Sequence, residues 1–262
     1  MEKRKICTAG KVALVKNILI VFFLGALISC TSSNKAVKNT TNMPPLTTAH
    51  SNLLNRILEL NKSRIGSSEQ IILVTNDSIH SKDVIIQTFE KRNNHWVNKF
   101  ADIQGTIGKN GFSAFQQKRE GDNTSPTGIF DLGPVFGYSE NVATKMDYRR
   151  ATDRDYWIDD IQSDDYNKWV TMETVPTVSH EKMKRDDDLY KLGIVVQYNT
   201  NQVVKGNGSA IFVHIQRAAG SPTAGCVAMP ENNLESIIKW LQPEEKPLIV
   251  MGTVSELGRI VL

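Results

Sequence analysis

Apolar side chains are arranged in three different ways along this chain of 262 residues. Residues 17–28 form a short, almost unbroken apolar run, whereas residues 31–50 contain hardly any large apolar side chain. Residues 51–62 carry leucine and isoleucine at helical spacing, and from residue 70 onward short runs of β-branched and aromatic residues alternate with turn-forming residues. This pattern predicts a polar tether, a short amphipathic helix and then one mostly β domain.

Short apolar runs that are bounded by turn signals predict the strands of this domain. The predicted strands are residues 70–75, 83–90, 95–107, 192–198, 209–214 and 247–251. One helix is predicted after Pro230, because Glu231 suits the positive end of a helix and apolar residues follow on one face. Pro243 ends this helix, since proline cannot continue it.

The stretch 147–190 fits neither a strand nor a helix pattern. It is crowded with aspartates, but it lacks the alternate-residue ligand spacing, the central glycine and the terminal glutamate of a calcium loop. We therefore expect a solvated loop or a short helix, of the long kind that often serves a function. It would carry four aromatic side chains that pack on the sheet or line a groove, namely Tyr156, Trp157, Tyr166 and Trp169.

The N-terminus has the pattern of an export signal. Basic residues precede the apolar run, which is shorter than the roughly 20 residues that a bilayer span needs. The sequence Leu27-Ile28-Ser29-Cys30 resembles the lipobox of bacterial lipoproteins. That resemblance implies a signal peptide at 1–29 and a lipid on Cys30, followed by a tether with its short helix at 30–65 and the mostly β domain at 66–262. The protein would be exported and anchored to a membrane by its N-terminal lipid, facing the cell wall or periplasm; the alternative is an uncleaved signal anchor.

The positive charge of the chain is concentrated in this N-terminal segment. Residues 1–29 hold five of the 31 basic and one of the 28 acidic residues, so the formal net charge of +3 becomes −1 for the rest of the chain. That remainder lacks the basic surplus that binds phosphate backbones, and no nucleic-acid partner is expected. The four histidines other than His214 have no cysteine paired with them. Neither a metal site nor a cofactor is predicted.

Cysteine usage draws attention to one thiol. Of the three cysteines, Cys7 lies in the predicted signal and Cys30 at the lipidation point, which leaves Cys226 unpaired. It follows Gly225 at the end of a loop rich in glycine and proline, and His214 lies twelve residues before it. Cysteine attack on an amide needs a thiolate, a nearby imidazole and hydrogen-bond donors for the oxyanion. An ion pair with the imidazolium of His214 would lower the pKa of this thiol.

The same residues admit plainer interpretations. Cys226 could be an inert small hydrophobe in the core, and His214 could cap a strand with its ring satisfied by backbone groups.

Two motifs of this chain together resemble the L,D-transpeptidase (YkuD-type) family. A strand-borne His, a variable loop and Thr223-Ala224-Gly225-Cys226 resemble the family's Ser/Thr-His-Gly-Cys signature. Upstream, residues 118–138 resemble its Gly-Asp-x-x-Thr/Ser-Pro-x-Gly-x-Phe element, in which Pro126 and Gly128 set a turn into a strand at Ile129. The resemblance covers residues 70–252.

The resemblance implies a β-sandwich or open barrel with a few short helices and a cysteine acyltransferase acting on peptidoglycan stem peptides. By the same resemblance Cys226 is the nucleophile, His214 is the base, and the backbone of Gly225 and Cys226 forms the oxyanion hole. Thr223 and Arg217 are added as candidate substrate-binding residues, Arg217 through its fork of donors for a carboxylate. A surface role for Arg217 is the alternative.

One departure from the family pattern is Ala224, which replaces the histidine before Gly-Cys. Three functions therefore stay open: a transpeptidase, a hydrolase of the carboxypeptidase or endopeptidase type on the same scaffold, and a non-catalytic wall-binding lipoprotein.

Overall fold

The computed structural model describes residues 48–261, all of which lie in one compact unit of the chain. The predicted signal peptide, the lipidation site at Cys30 and the tether up to residue 47 lie outside the described residues. The helices are α1 Thr48–Leu60, α2 Lys62–Ile65, α3 Glu231–Trp240 and α4 Val254–Leu257, with a 3₁₀ turn at Pro243–Glu245. The strands are β1 Gln70–Asn76, β2 Asp83–Arg92, β3 His95–Asn98, β4 Ile103–Thr106, β5 Gly128–Gly137, β6 Tyr148–Arg150, β7 Asp155–Ile158, β8 Lys168–Thr171, β9 His180–Lys182, β10 Leu192–Val196, β11 Phe212–Ile215, β12 Val227–Met229 and β13 Leu248–Thr253.

Most strands form one large mixed sheet. Its strands follow the order β1-β13-β5-β10-β11-β12-β4-β2-β3, and β6 pairs with β5. An antiparallel ladder joins β1, the first strand of this path, to β2, the last but one, which gives the sheet a barrel-like shape. The prediction of a mainly β fold with a few short helices is confirmed.

The central strands are continuous apolar runs because both of their faces are buried. In β1, Ile72 and Val74 face the interior of the large sheet, whereas Ile71 and Leu73 belong to a second core on its outer side. Helix α1 covers that outer core with apolar residues spaced three and four apart, including Leu53, Leu54 and Ile57. The sequence predicts this helix as part of the tether, whereas in the structure it packs on the domain.

Helix α3 forms where the sequence predicts it. Pro230 precedes its first turn, and Leu234, Ile237 and Ile238 are buried in the interior core. The helix contacts β10 and β11, the strands that lead into the candidate site.

Residues 155–182 form a separate three-stranded sheet in the order β8-β7-β9, so the expected solvated loop or short helix is wrong here. The expected packing of its aromatic side chains is nevertheless found, because Tyr156, Trp157 and Tyr166 are buried. Trp157 belongs to a third core, together with Phe136 and Phe212 of the large sheet. The small sheet therefore lies over the face of β11 on which the candidate nucleophile is found.

Of the helices in residues 48–261, none is both long enough and apolar enough to cross a membrane.

Candidate functional site

Two neighbouring parallel strands bring Cys226 and His214 to the same face of the large sheet. Strand β11 pairs with β12 so that Val213 lies beside Val227 and His214 beside Ala228. Cys226 directly precedes β12, so the same register places it opposite Phe212. Phe212 is two residues before His214 on β11. Side chains two apart on a strand share a face, and diagonal neighbours on adjacent strands lie about 7–8 Å apart. The pairing of the strands, rather than the intervening loop alone, places the thiol near the imidazole.

Backbone groups hold the Cys226 sulfur. Its thiol donates to the carbonyl oxygen of Ala210 at 3.3 Å and accepts the amide of Phe212 at 3.4 Å. Ala210 has a left-handed backbone with φ of +53°, and its amide donates to the side chain of Asn167. Non-glycine residues seldom adopt this conformation. The small sheet, through Asn167, therefore supports the backbone turn whose carbonyl faces the thiol.

The loop before Cys226 is tied down by two hydroxyl groups. Thr223 Oγ1 donates to the carbonyl of Cys226 at 2.7 Å and accepts the amide of Gly225 at 3.1 Å. Ser125 Oγ, which is fully buried, donates to the carbonyl of Gly225 and accepts the amide of Gly108. A Cβ at Gly225 would lie 2.9 Å from the carbonyl oxygen of Thr124, so a side chain does not fit here.

These bonds alter two expectations from the sequence. The Gly225 amide, expected in the oxyanion hole, is occupied by the Thr223 hydroxyl in this structure. Thr223, expected to bind substrate, braces the loop of the nucleophile. In the Gly-Asp-x-x-Ser-Pro element, the strand expected from Ile129 begins one residue earlier, at Gly128, and the Ser125 hydroxyl donates to the carbonyl of Gly225 in the loop before Cys226.

The His214 ring is oriented by its own strand. Its Nδ1–H donates to the carbonyl of Ile215 at 2.8 Å, which leaves Nε2 as the nitrogen available to accept a proton. Gly193 and Ala228 flank His214 on the adjacent strands, and the Tyr190 ring packs edge-on at 5.3 Å. Small neighbours on both sides leave room for the ring between β10 and β12.

Burial favours the uncharged form of both groups. It lowers the pKa of His214 to about 4, against a partial rise from the bond to Ile215. Burial also raises the pKa of Cys226 to about 12, and the Glu181 carboxylate adds to that rise. Desolvation of the thiol and the imidazole therefore opposes the resting ion pair that the sequence suggested.

A cavity opens over these two side chains, and we call it the His214 cavity. Its wall includes Cys226, His214, Arg217, Ser221, Thr223, Glu181, Arg185 and Tyr190. Arg217 lines it as an exposed side chain whose guanidinium contacts Asp187 at 2.7 Å. Arg185 forms a two-point ion pair with the same carboxylate, at 2.8 and 2.9 Å, which holds the pKa of Asp187 well below its usual range. Asp187 thus anchors two arginines at the rim of the cavity.

Sequence reasoning missed Glu181, Arg185, Asp187 and Tyr190. All four lie in or just after the charged run that ends the stretch 147–190, and the crowding of opposite charges there was the available signal. Within residues 48–261, histidine, cysteine and acidic side chains form no group of three or more that could hold a metal ion.

Comparison with known proteins gives one family. The model of the YkuD family, described as the L,D-transpeptidase catalytic domain, matches residues 88–253, which is more than half of the chain. No curated protein matches the chain.

Solved structures give distant likenesses. The helical cell shape determining protein Pgp2 from Campylobacter jejuni is 17% identical with a TM-score of 0.39, and the match covers 77% of this chain and 54% of that one. Bd1075 of Bdellovibrio bacteriovorus is 14% identical with a TM-score of 0.37, and the match covers 71% of this chain and 48% of that one. The chain spans about half the length of these structures.

Proposed function

Because this chain belongs to the L,D-transpeptidase catalytic-domain family, we propose that it is a cysteine acyltransferase that acts on peptidoglycan stem peptides. One observation carries this proposal: Cys226 and His214 lie on one face of adjacent strands and line one cavity. A cysteine with only a packing role would not be expected to share a cavity wall with an oriented imidazole.

The proposed reaction begins from the neutral pair. As the sulfur attacks the peptide carbonyl, the thiol proton passes to Nε2 of His214, so that charge separates only while the new bond forms. The imidazolium then protonates the departing amine of the terminal D-amino acid, and a thioester on Cys226 remains. An amine of a second stem, or water, attacks the thioester, and its proton returns through His214 to the departing sulfur.

The oxyanion needs donors that are free to face it. Since Gly225 N–H is engaged by Thr223, the Cys226 amide is the proposed donor of the pair that the sequence suggested. Arg217 and Arg185 at the cavity rim would attract a substrate carboxylate, although Asp187 already partners both.

The products of the reaction distinguish transfer from hydrolysis. Purified muropeptides incubated with the enzyme and analysed by mass spectrometry are expected to give crosslinked dimers if a stem amine resolves the thioester. Trimmed monomers would show that water resolves it and that the protein is a hydrolase on the same scaffold. Cys226→Ser is the matched control, and activity that persists in this variant would rule out the cysteine mechanism.

We also propose that the enzyme is exported and held at a membrane by a lipid on Cys30, facing the peptidoglycan. Support comes from residues 1–30, in which a basic segment and a short apolar run precede the lipobox-like sequence. Cys30→Ala is expected to leave the precursor without lipid and to shift it out of the detergent-soluble membrane fraction. An unchanged distribution between fractions would contradict the anchor.

A further inference from the structure

Cys226 is reached from two cavities. Besides the His214 cavity, a second one, which we call the Glu120 cavity, is lined by Lys118, Glu120, Asp159 and Ser209. Three residues line both cavities: Glu181, Ala224 and Cys226. Ala224 offers only a methyl group at this junction. Glu181 is therefore the one titratable group, besides the nucleophile, that the described residues place in both walls.

Glu181 is connected to the candidate base through Tyr190. The Tyr190 hydroxyl donates to Glu181 Oε2, and the edge of the same ring packs against His214 at 5.3 Å between centroids. Tyr190 is buried, and the guanidinium of Arg185 lies 5.0 Å from its ring centroid. The Glu181 carboxyl group thus holds the hydroxyl of Tyr190, and the ring of Tyr190 packs against the His214 imidazole.

We propose that Glu181 is a positioning residue of the acyl transfer, which holds Tyr190 against His214 and sets the charge beside Cys226. This inference rests on the proposed function. The small sheet would then do more than cover the core, because its strand β9 supplies a side chain to the site.

The charges around Glu181 explain why its ionisation matters. Glu181 interacts with Tyr190 and Arg185, which follow it in the chain. It lines the Glu120 cavity together with Cys226, Asp159 and Glu120. Burial raises the pKa of Glu181, with only partial opposition from Tyr190 and Arg185. An ionised Glu181 raises the pKa of the Cys226 thiol. A protonated Glu181 therefore favours the negative charge that develops on the sulfur as its proton moves to His214, whereas a carboxylate opposes it.

The test compares three variants with the wild type. Glu181→Gln keeps an oxygen for the Tyr190 hydroxyl and removes the titrating group, so kcat is expected to stay within about threefold. Glu181→Ala removes the bond as well, and a misplaced imidazole is expected to reduce kcat by about 10- to 100-fold with KM nearly unchanged. Glu173→Gln is the matched control, since Glu173 is exposed and pairs with Arg154 at the outside of the small sheet.

A second readout follows the thiol directly. The pH profile of Cys226 alkylation by iodoacetamide is expected to move to lower pH in Glu181→Gln, because the carboxylate that raises the thiol pKa is gone. A purely structural role would leave this profile in place. Superimposable profiles for wild type and Glu181→Gln would overturn the proposal, as would a wild-type kcat in Glu181→Ala.

Two further outcomes remain decisive. If Glu181→Ala fails to fold, Tyr190→Phe takes its place, because it keeps the ring and removes the hydroxyl bond; a wild-type kcat in that variant overturns the proposal. If the wild type shows no activity on stem peptides, the proposed function fails, and the alkylation profile alone then decides whether Glu181 controls the thiol.

Discussion

The sulfur of Cys226 and the ring of His214 are each held by backbone groups at or just before strand β11. The thiol lies between the carbonyl of Ala210 and the amide of Phe212, and the imidazole is turned by the carbonyl of Ile215. Such contacts orient both groups without charging either of them. In the proposed mechanism the nucleophile therefore rests as a thiol and loses its proton to His214 as the sulfur attacks the substrate. Enzymes with a resting thiolate differ in this respect.

Thr223 provides a prediction at the residue scale. Thr223→Val keeps the side-chain shape but removes both bonds that brace the loop, which is expected to cost about 1–2 kcal/mol of the free energy of unfolding. Turnover is expected to fall by about tenfold or more, because the nucleophile is held less firmly. Thermal unfolding and steady-state kinetics measure the two effects. Thr223→Ser, which keeps the hydroxyl, is the control, and full activity in Thr223→Val would refute the bracing role.

At the scale of elements, the site depends on where the small sheet meets the large one. Asn167, just before β8, accepts hydrogen bonds from the amide of Ala210 and from the Trp157 indole, so one side-chain oxygen links the small sheet to the segment that precedes β11. Strand β9 brings Glu181 to the same place. The elements that determine the charge around Cys226 thus lie outside the motifs that carry the thiol and the imidazole.

Some of these elements were predictable from local pattern. Strands such as β1 and β13 are buried on both faces. Their sequences are therefore continuous apolar runs, which predict buried strands directly. Helix α3 has a proline before its first turn and a one-sided apolar face. The loop between His214 and Cys226 is marked by its glycines and its proline, so the candidate pair was also visible in the sequence.

Other features depend on tertiary contacts that no local pattern encodes. The strands β7, β8 and β9 are three or four residues long and partly charged, which is too short for a two-residue period to stand out. Glu181 and Tyr190 meet the site through the packing of the two sheets. The direction of the pKa shift at Cys226 follows from its burial, which spacing along the chain does not reveal.

On the scale of the whole molecule, the described domain carries every residue of the proposed reaction, and the proposed lipid on Cys30 would determine where that reaction takes place. A lipid on Cys30 would confine the domain to a membrane surface, where two or more acyl chains give stable attachment. The net charge of −1 beyond residue 29 gives no electrostatic reason for a second, non-lipid attachment to an anionic surface. Lipid attachment and acyl transfer can therefore be tested separately, by Cys30→Ala and by Cys226→Ser.

Whether Cys226 forms an acyl-enzyme can be measured by intact-protein mass spectrometry of the enzyme mixed with a stem tetrapeptide. We expect a transient adduct equal in mass to the stem without its terminal D-amino acid, mapped to Cys226 by digestion and absent from Cys226→Ser. His214→Ala is expected to form this adduct about 10²- to 10⁴-fold more slowly, because the proton carrier is lost. An adduct on another residue, or product formation by the Cys226→Ser variant, would show that Cys226 is not the nucleophile.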